Sequence, residues 1–205
     1  MAGPENSLRL MTVSESDPIW HKIANLFDSA SLSGNLKVEE LKLRSILAVQ
    51  NILHWQRFRN EFQHLKEKLG AEPRILELWH GTSKKDPREI ISSESGLNVN
   101  FARGGKQWGK GLYFAADASY SCPTFCYSVP DRPGTYQVLL CDVLVGARKF
   151  VSAFDNSHHL LLEPPLIPGS KNRFDCIQSV AQGSSIYVVY QNQKVCPRYL
   201  IEFSV

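Results

Sequence analysis

Between Gln50 and Leu69, six large apolar residues recur three or four positions apart: Ile52, Trp55, Phe58, Phe62, Leu65 and Leu69, with Gly70 next in line. That spacing predicts one long amphipathic helix, stopped by a glycine that can take the left-handed conformation. A stripe of this size has to be laid on something, and the sequence beyond residue 74 supplies the partner. There Leu76 to Trp79, Thr135 to Leu144, Ile186 to Tyr190 and Arg198 to Phe203 are short runs of residues suited to strands. Proline and glycine punctuate 130–134 and 164–169 as loops. Upstream, Asp17-Pro18 supplies a capping acid and a first-turn proline, and Ile19, Ile23 and Phe27 follow on one helical face. Leu36-Lys37-Val38-Glu39 alternates as a short strand would. The expected class is α+β, with N-terminal helices packed on a split, largely antiparallel β-sheet.

A chain of 205 residues with 43% hydrophobic content can build one sizeable core, and no internal repeat divides it. Its formal charge of +3 is too mild to indicate nucleic acid. The densest basic cluster, Arg57, Arg59, Lys66 and Lys68, is interleaved with Glu61 and Glu67, as on a solvated helix face. No apolar run is long enough to span a bilayer, and Met1 to Leu10 lacks a signal-peptide core, so no membrane partner is expected. Five irregularly spaced cysteines fit reduced thiols in the cytoplasm or nucleus. Cys122 and Cys126 with His158 and His159 lack the two tight ligand pairs of structural zinc, and no metal is expected.

Chemistry concentrates in two islands. The first is Trp79-His80-Gly81-Thr82; the second is Gly109-Lys110-Gly111-Leu112-Tyr113-Phe114-Ala115, followed by Ala118-Ser119-Tyr120-Ser121. Alone, a His-Gly pair after a strand is a turn, and Gly-x-Gly-Leu-Tyr-Phe is the start of a strand. Together they offer an imidazole, a phenol ring, a serine hydroxyl and a backbone with no Cβ at Gly81. Such a set suits a planar carboxamide ring on a ribose, the reactive end of NAD. A Rossmann site is disfavoured, since no G-x-G-x-x-G opens a helix after a strand, and no P-loop is present.

In these motifs the chain, from about Pro18 to its end, resembles the catalytic domain of the diphtheria-toxin-like ADP-ribosyltransferases, the poly(ADP-ribose) polymerase family. The resemblance implies that His80 binds the adenosine ribose and that the Gly81 backbone holds the nicotinamide amide. Thr82 completes the first motif, Tyr113 lines the nicotinamide slot, and Ser121 reaches the carboxamide. A second stacking aromatic is expected just after that serine, where Phe125 is preferred to Tyr127. The family's third motif carries a glutamate in chain-elongating members, and the matching position here is Ile186. The triad reads His80, Tyr113, Ile186. Isoleucine can neither accept a proton from a ribose hydroxyl nor orient one. The resemblance is therefore to the mono-ADP-ribosylating branch.

On this resemblance the chain is expected to comprise a short N-terminal extension, 1–17, and a catalytic domain, 18–205, too small to include the family's autoinhibitory helical domain. The NAD site would then be open without a DNA-break signal. NAD would be the substrate, and the acceptor a protein with acidic or other nucleophilic side chains. The loop from Gly96 to Trp108 would lie over NAD, with Arg103 and Lys106 directed at the pyrophosphate. The insert Ser152 to Leu162 and the segment Phe174 to Ser179 would face the acceptor. Two rival readings meet the same residues: a catalytically silent module that holds NAD or ADP-ribose or acts as a scaffold, and a glycohydrolase with water as acceptor. Retention of both His80 and Tyr113 favours chemistry over a silent pocket.

Overall fold

The computed structural model describes residues 8–29, 41–102, 107–151 and 161–205. The chain runs β1 (Leu8–Thr12), α1 (Pro18–Ser29), β2 (Lys42–Asn51), α2 (Ile52–Leu69), β3 (Arg74–His80) and α3 (Pro87–Ser92). There follow β4 (Leu112–Ala115), α4 (Ala118–Ser121), β5 (Tyr127–Ser128), β6 (Thr135–Val145), β7 (Arg148–Phe150), β8 (Cys176–Ala181), β9 (Ser184–Val189) and β10 (Val195–Ser204). The ten strands form one sheet in the order β1-β2-β10-β6-β3-β4-β9-β8-β7, with β5 paired to β6. Every pairing is antiparallel except that of β7 with β8. The α+β, largely antiparallel expectation holds.

The split lies between β3 and β4. β3 pairs with β6 from Arg74↔Val145 to His80↔Leu139, and β4 with β9 from Leu112↔Val189 to Ala115↔Ile186. β3 and β4 share a single pair, Trp79↔Ala115. Because side chains alternate along each strand, the two faces of the sheet treat this seam differently. One face carries a continuous core across it, including Leu78 of β3, Phe114 of β4, Leu139 of β6 and Tyr187 of β9. On the other face the core is divided. Trp79 packs with Phe27, Val138 and Phe203, whereas Ala115 packs with Trp108, Ile186 and Val188.

The long helix forms, with corrections to its ends and its buried face. It starts at Ile52, because Gln50 and Asn51 still belong to β2, an element the sequence pattern did not announce. Asn51 caps it: its side-chain oxygen accepts from the His54 N–H at 3.1 Å, and its amide donates to the Ile91 carbonyl at 3.0 Å. Such a cap stabilises a helix by about 1 kcal/mol. Gly70, in the left-handed conformation, ends it with an N–H bond to the Glu67 carbonyl. The buried residues are His54, Phe58, Glu61 and Leu65. Ile52 and Trp55 are 53% and 40% exposed, so the apolar stripe drifts off the contact face. Trp55 is instead roofed by the guanidinium groups of Arg59 and Arg198, at 5.8 and 5.3 Å from its ring.

Helix α1 begins at Pro18 as expected, with Asp17 accepting from the Ile19 N–H at 2.8 Å and Ile23 and Phe27 buried. β1 and β2 were not anticipated. In β2 only Ile46, Val49 and Asn51 are buried, so its alternation is faint. Leu8–Thr12 lies in the stretch set apart as an extension, yet pairs with β2 at the edge of the sheet. The strand proposed at Leu36–Glu39 falls outside the described residues.

Candidate functional site

The site is built along the seam. β3 ends at His80, whose Nδ1 lies 2.8 Å from the Tyr113 carbonyl oxygen on β4. A carbonyl only accepts, so Nδ1 carries the proton. Burial lowers the pKa of His80, with the Tyr113 carbonyl pulling weakly the other way. The ring is therefore neutral near pH 7, and Nε2 presents a lone pair that can accept from a hydroxyl. Its ring rests against Phe114, with centroids 5.0 Å apart.

After His80 the chain turns beneath the segment that follows α4. A Cβ on Gly81 would stand 2.1 Å from the Phe125 carbonyl oxygen and 2.9 Å from its Cβ. The space a side chain would need is thus taken by the protein's own backbone, not left for a ligand as the sequence suggested. Ser83 fastens this contact: its N–H and its hydroxyl both donate to the Phe125 carbonyl, at 2.9 and 3.3 Å. Thr82 spends its hydroxyl on its own turn, donating to the Lys85 carbonyl at 2.5 Å.

Ser121 is buried at the end of α4, and its carbonyl accepts from the Phe125 N–H at 2.8 Å. Among the described residues its hydroxyl has no hydrogen bond. Phe125 is 41% exposed, with its ring 5.5 Å from that of Tyr120. Tyr127 pairs with Gln137 in the β5–β6 ladder.

On the opposite side of the seam, Tyr113 stands on β4. Its hydroxyl accepts from the Trp108 N–H at 3.0 Å and donates to the Gly109 carbonyl at 2.9 Å. Its ring stacks on Trp108, with centroids 6.0 Å apart. Burial pushes its pKa up to about 12, against the pull of the Trp108 N–H, so the phenol stays neutral. Ile186 lies on β9, paired with Ala115 on one side and Ser179 on the other. It is fully buried in the cluster that contains Trp108, Val188 and, at its margin, Tyr113 and Tyr120.

The structure therefore gathers His80, Gly81, Tyr113, Ser121, Phe125 and Ile186 around one seam. Arg103 and Lys106 fall outside the described residues, as do His158 and His159. Cys122 and Cys126 are buried free thiols with sulfurs 3.3 Å apart, and no metal-ligand cluster occurs among the described residues. Sequence reasoning gave no role to Tyr120, Ser83 or Tyr190, the last of which donates its hydroxyl to the Trp108 carbonyl. Tyr190 had a signal: it sits four residues beyond Ile186, on the same side by strand alternation.

A second polar cluster escaped the sequence altogether. Buried Asp175 accepts from Lys68 Nζ at 2.7 Å, from Lys194 Nζ at 3.1 Å and from the Ala147 N–H at 2.8 Å. Burial raises its pKa, but the Lys68 bond, the Lys194 charge and the Ala147 N–H outweigh this and leave it below the usual range. Lys194 is itself buried, so the three charges stand or fall together.

Known proteins resemble this chain in sequence. Residues 20–205 match the family model described as the poly(ADP-ribose) polymerase catalytic domain. The human protein mono-ADP-ribosyltransferase PARP12 is 29% identical over 204 residues, covering 98% of this chain and 26% of its own length. The mouse protein mono-ADP-ribosyltransferase PARP11 is 26% identical over 214 residues, covering 98% of this chain and 62% of its own. Human protein mono-ADP-ribosyltransferase PARP14 is 27% identical over 195 residues, covering 92% of this chain and 10% of its own. The chain thus spans about a quarter of PARP12 and less than two thirds of PARP11. On the family match over residues 20–205, and with its motif residues assembled along a split sheet, this chain belongs to the poly(ADP-ribose) polymerase catalytic domain family.

Proposed function

We propose that this chain transfers a single ADP-ribose unit from NAD to an acceptor protein and releases nicotinamide. The observation that carries the reading is Ile186: an apolar residue, 0% exposed, stands at the position that the resemblance matches to the glutamate of chain-elongating members. The names of PARP12, PARP11 and PARP14, each a mono-ADP-ribosyltransferase, support it. NAD would lie along the seam, with its adenosine ribose at His80 Nε2, its carboxamide at the Gly81 backbone and Ser121, and its nicotinamide ring between Tyr113 and Phe125.

The nicotinamide nitrogen is cationic in NAD, so breaking the glycosidic bond sends the electron pair to the ring and releases a neutral molecule. The barrier is the oxocarbenium-like ribose, which the site lowers by holding ring, ribose and acceptor in attack geometry. Extending a chain requires a ribose hydroxyl to lose its proton as it attacks, and Ile186 cannot take it. A carboxylate on an acceptor is already an anion and forms the new bond to ribose C1′ without a base. Five cysteines, all buried as free thiols, support a reducing compartment, cytoplasm or nucleus. Intact-protein mass spectrometry after incubation with NAD and a mixed protein acceptor tests the reading. Discrete single ADP-ribose additions, absent with His80→Ala, are expected. Long polymer, or nicotinamide release with no labelled protein, would overturn it.

A further inference from the structure

The hydroxyl of Tyr113 is held by the turn at Trp108 and Gly109, accepting from the N–H of the first and donating to the carbonyl of the second. That turn is itself supported from below. The Tyr190 hydroxyl donates to the Trp108 carbonyl, and a Cβ on Gly109 would stand 2.7 Å from that same hydroxyl. Lys110 N–H donates to the Leu161 carbonyl at 2.7 Å, fixing the other end. Tyr190 is buried in the cluster of Trp108, Val188 and Ile186 and follows directly on β9.

From this relay we infer that Tyr190 is a positioning residue for the nicotinamide end of the site, acting on Tyr113 through the Trp108–Gly109 turn without touching the substrate. The inference rests on Tyr113 as a wall of the nicotinamide slot. A phenol ring has only two torsions, so its plane is set by where its hydroxyl is anchored. Losing the Tyr190 bond to the Trp108 carbonyl loosens the turn, and with it the Tyr113 ring, from the orientation that stacks on a planar amide. Nothing in the relay reaches His80, which is held by the Tyr113 main chain instead.

The test is Tyr190→Phe, which keeps the ring and removes only the donor. Binding of benzamide, an aromatic amide that mimics nicotinamide, and of ADP-ribose, which lacks that ring, is measured by calorimetry on both proteins. Loss of one hydrogen bond predicts a benzamide Kd raised about three- to tenfold, with the ADP-ribose Kd unchanged. In nicotinamide-release assays KM for NAD should rise by a similar factor, with kcat within about twofold. A merely structural role would lower the active fraction, reducing kcat and the calorimetric stoichiometry for both ligands while KM and both Kd values stay unchanged; that result overturns the inference. So does an unchanged benzamide Kd in the variant. A wild-type chain that binds ADP-ribose but not benzamide would refute both the nicotinamide slot and this role. Equal binding by the variant and wild type refutes this role alone.

Discussion

Replacing Ile186 by Glu would install the residue that the resemblance expects of chain-elongating members, yet the burial of this position predicts a destabilised chain and no gain of polymer synthesis. Ile186 is 0% exposed, and its removal forfeits most of the transfer free energy of a buried aliphatic side chain, about 1.5–3 kcal/mol. The new carboxyl group also needs partners. In register, Ser179 stands directly across on β8, but its hydroxyl is committed to the Val151 carbonyl at 2.7 Å. Tyr113, diagonally placed on β4, already donates to Gly109. An unpaired buried carboxyl costs about 1–3 kcal/mol more even when it takes a proton to become neutral. The sum, about 3–6 kcal/mol, is a large part of the 5–15 kcal/mol that typically holds a domain together, and corresponds to roughly 6–24 °C in Tm at this size. A carboxyl kept neutral by burial has a raised folded pKa. Its stability deficit should therefore grow as pH rises above about 4.3, where the unfolded chain can ionise it and the folded chain cannot. Thermal unfolding monitored by circular dichroism between pH 5 and 8, with a denaturing gel of NAD products, tests both halves. A Tm within about 2 °C of wild type, or a ladder of polymer, would refute the sealed apolar environment assigned to this position.

Three further outcomes are expected. His80 is buried and its pKa lowered, so any loss of nicotinamide release that it causes on acidification should have a midpoint below the ordinary histidine value of about 6.5, and a midpoint at or above that value would contradict the burial assigned to it. Asp175→Asn leaves Lys194 as a buried uncompensated charge and should cost about 3–5 kcal/mol in urea unfolding. Because its folded pKa is depressed, the stability Asp175 supplies is present above its unfolded pKa of about 3.9 and lost as pH falls below that through the folded value; a variant that matches wild type at pH 7 would sink the claim. Gly81→Ala places a methyl 2.1 Å from the Phe125 carbonyl, so the 121–126 segment must shift and benzamide affinity should drop at least tenfold; unchanged binding would mean that the two segments are not in contact.

The divided sheet was legible in outline because the later strands are dense in β-branched and aromatic residues, and the site residues because two motifs recur in a fixed order. What failed has identifiable causes. α2 was read by its apolar residues, but its contact face carries His54 and Glu61, polar side chains that hydropathy assigns to solvent. β2 is buried at too few positions to show a clean alternation, and its last residue doubles as the helix cap. The polar partners of the site were invisible for another reason. His80, Ser83 and Tyr190 all bond to main-chain carbonyls, those of Tyr113, Phe125 and Trp108, and a carbonyl has no identity in a sequence. Asp175 and its two lysines are separated by more than a hundred residues in one case, so only the folded chain pairs them.

The seam between β3 and β4 also bears on how stiffly the two half-sheets are joined. A ladder of hydrogen bonds resists bending because each bond is directional, and here the ladder is reduced to the single pair Trp79↔Ala115. Beneath it, Leu78, Phe114, Leu139 and Tyr187 form an unbroken apolar layer, whose cohesion depends on area and hardly on angle. The two half-sheets thus meet like the boards of a book, with a greasy spine on one face and loose edges on the other. Only the Trp79↔Ala115 pair and the bond from His80 Nδ1 to the Tyr113 carbonyl tie those edges, while the spine joins the half-sheets by area.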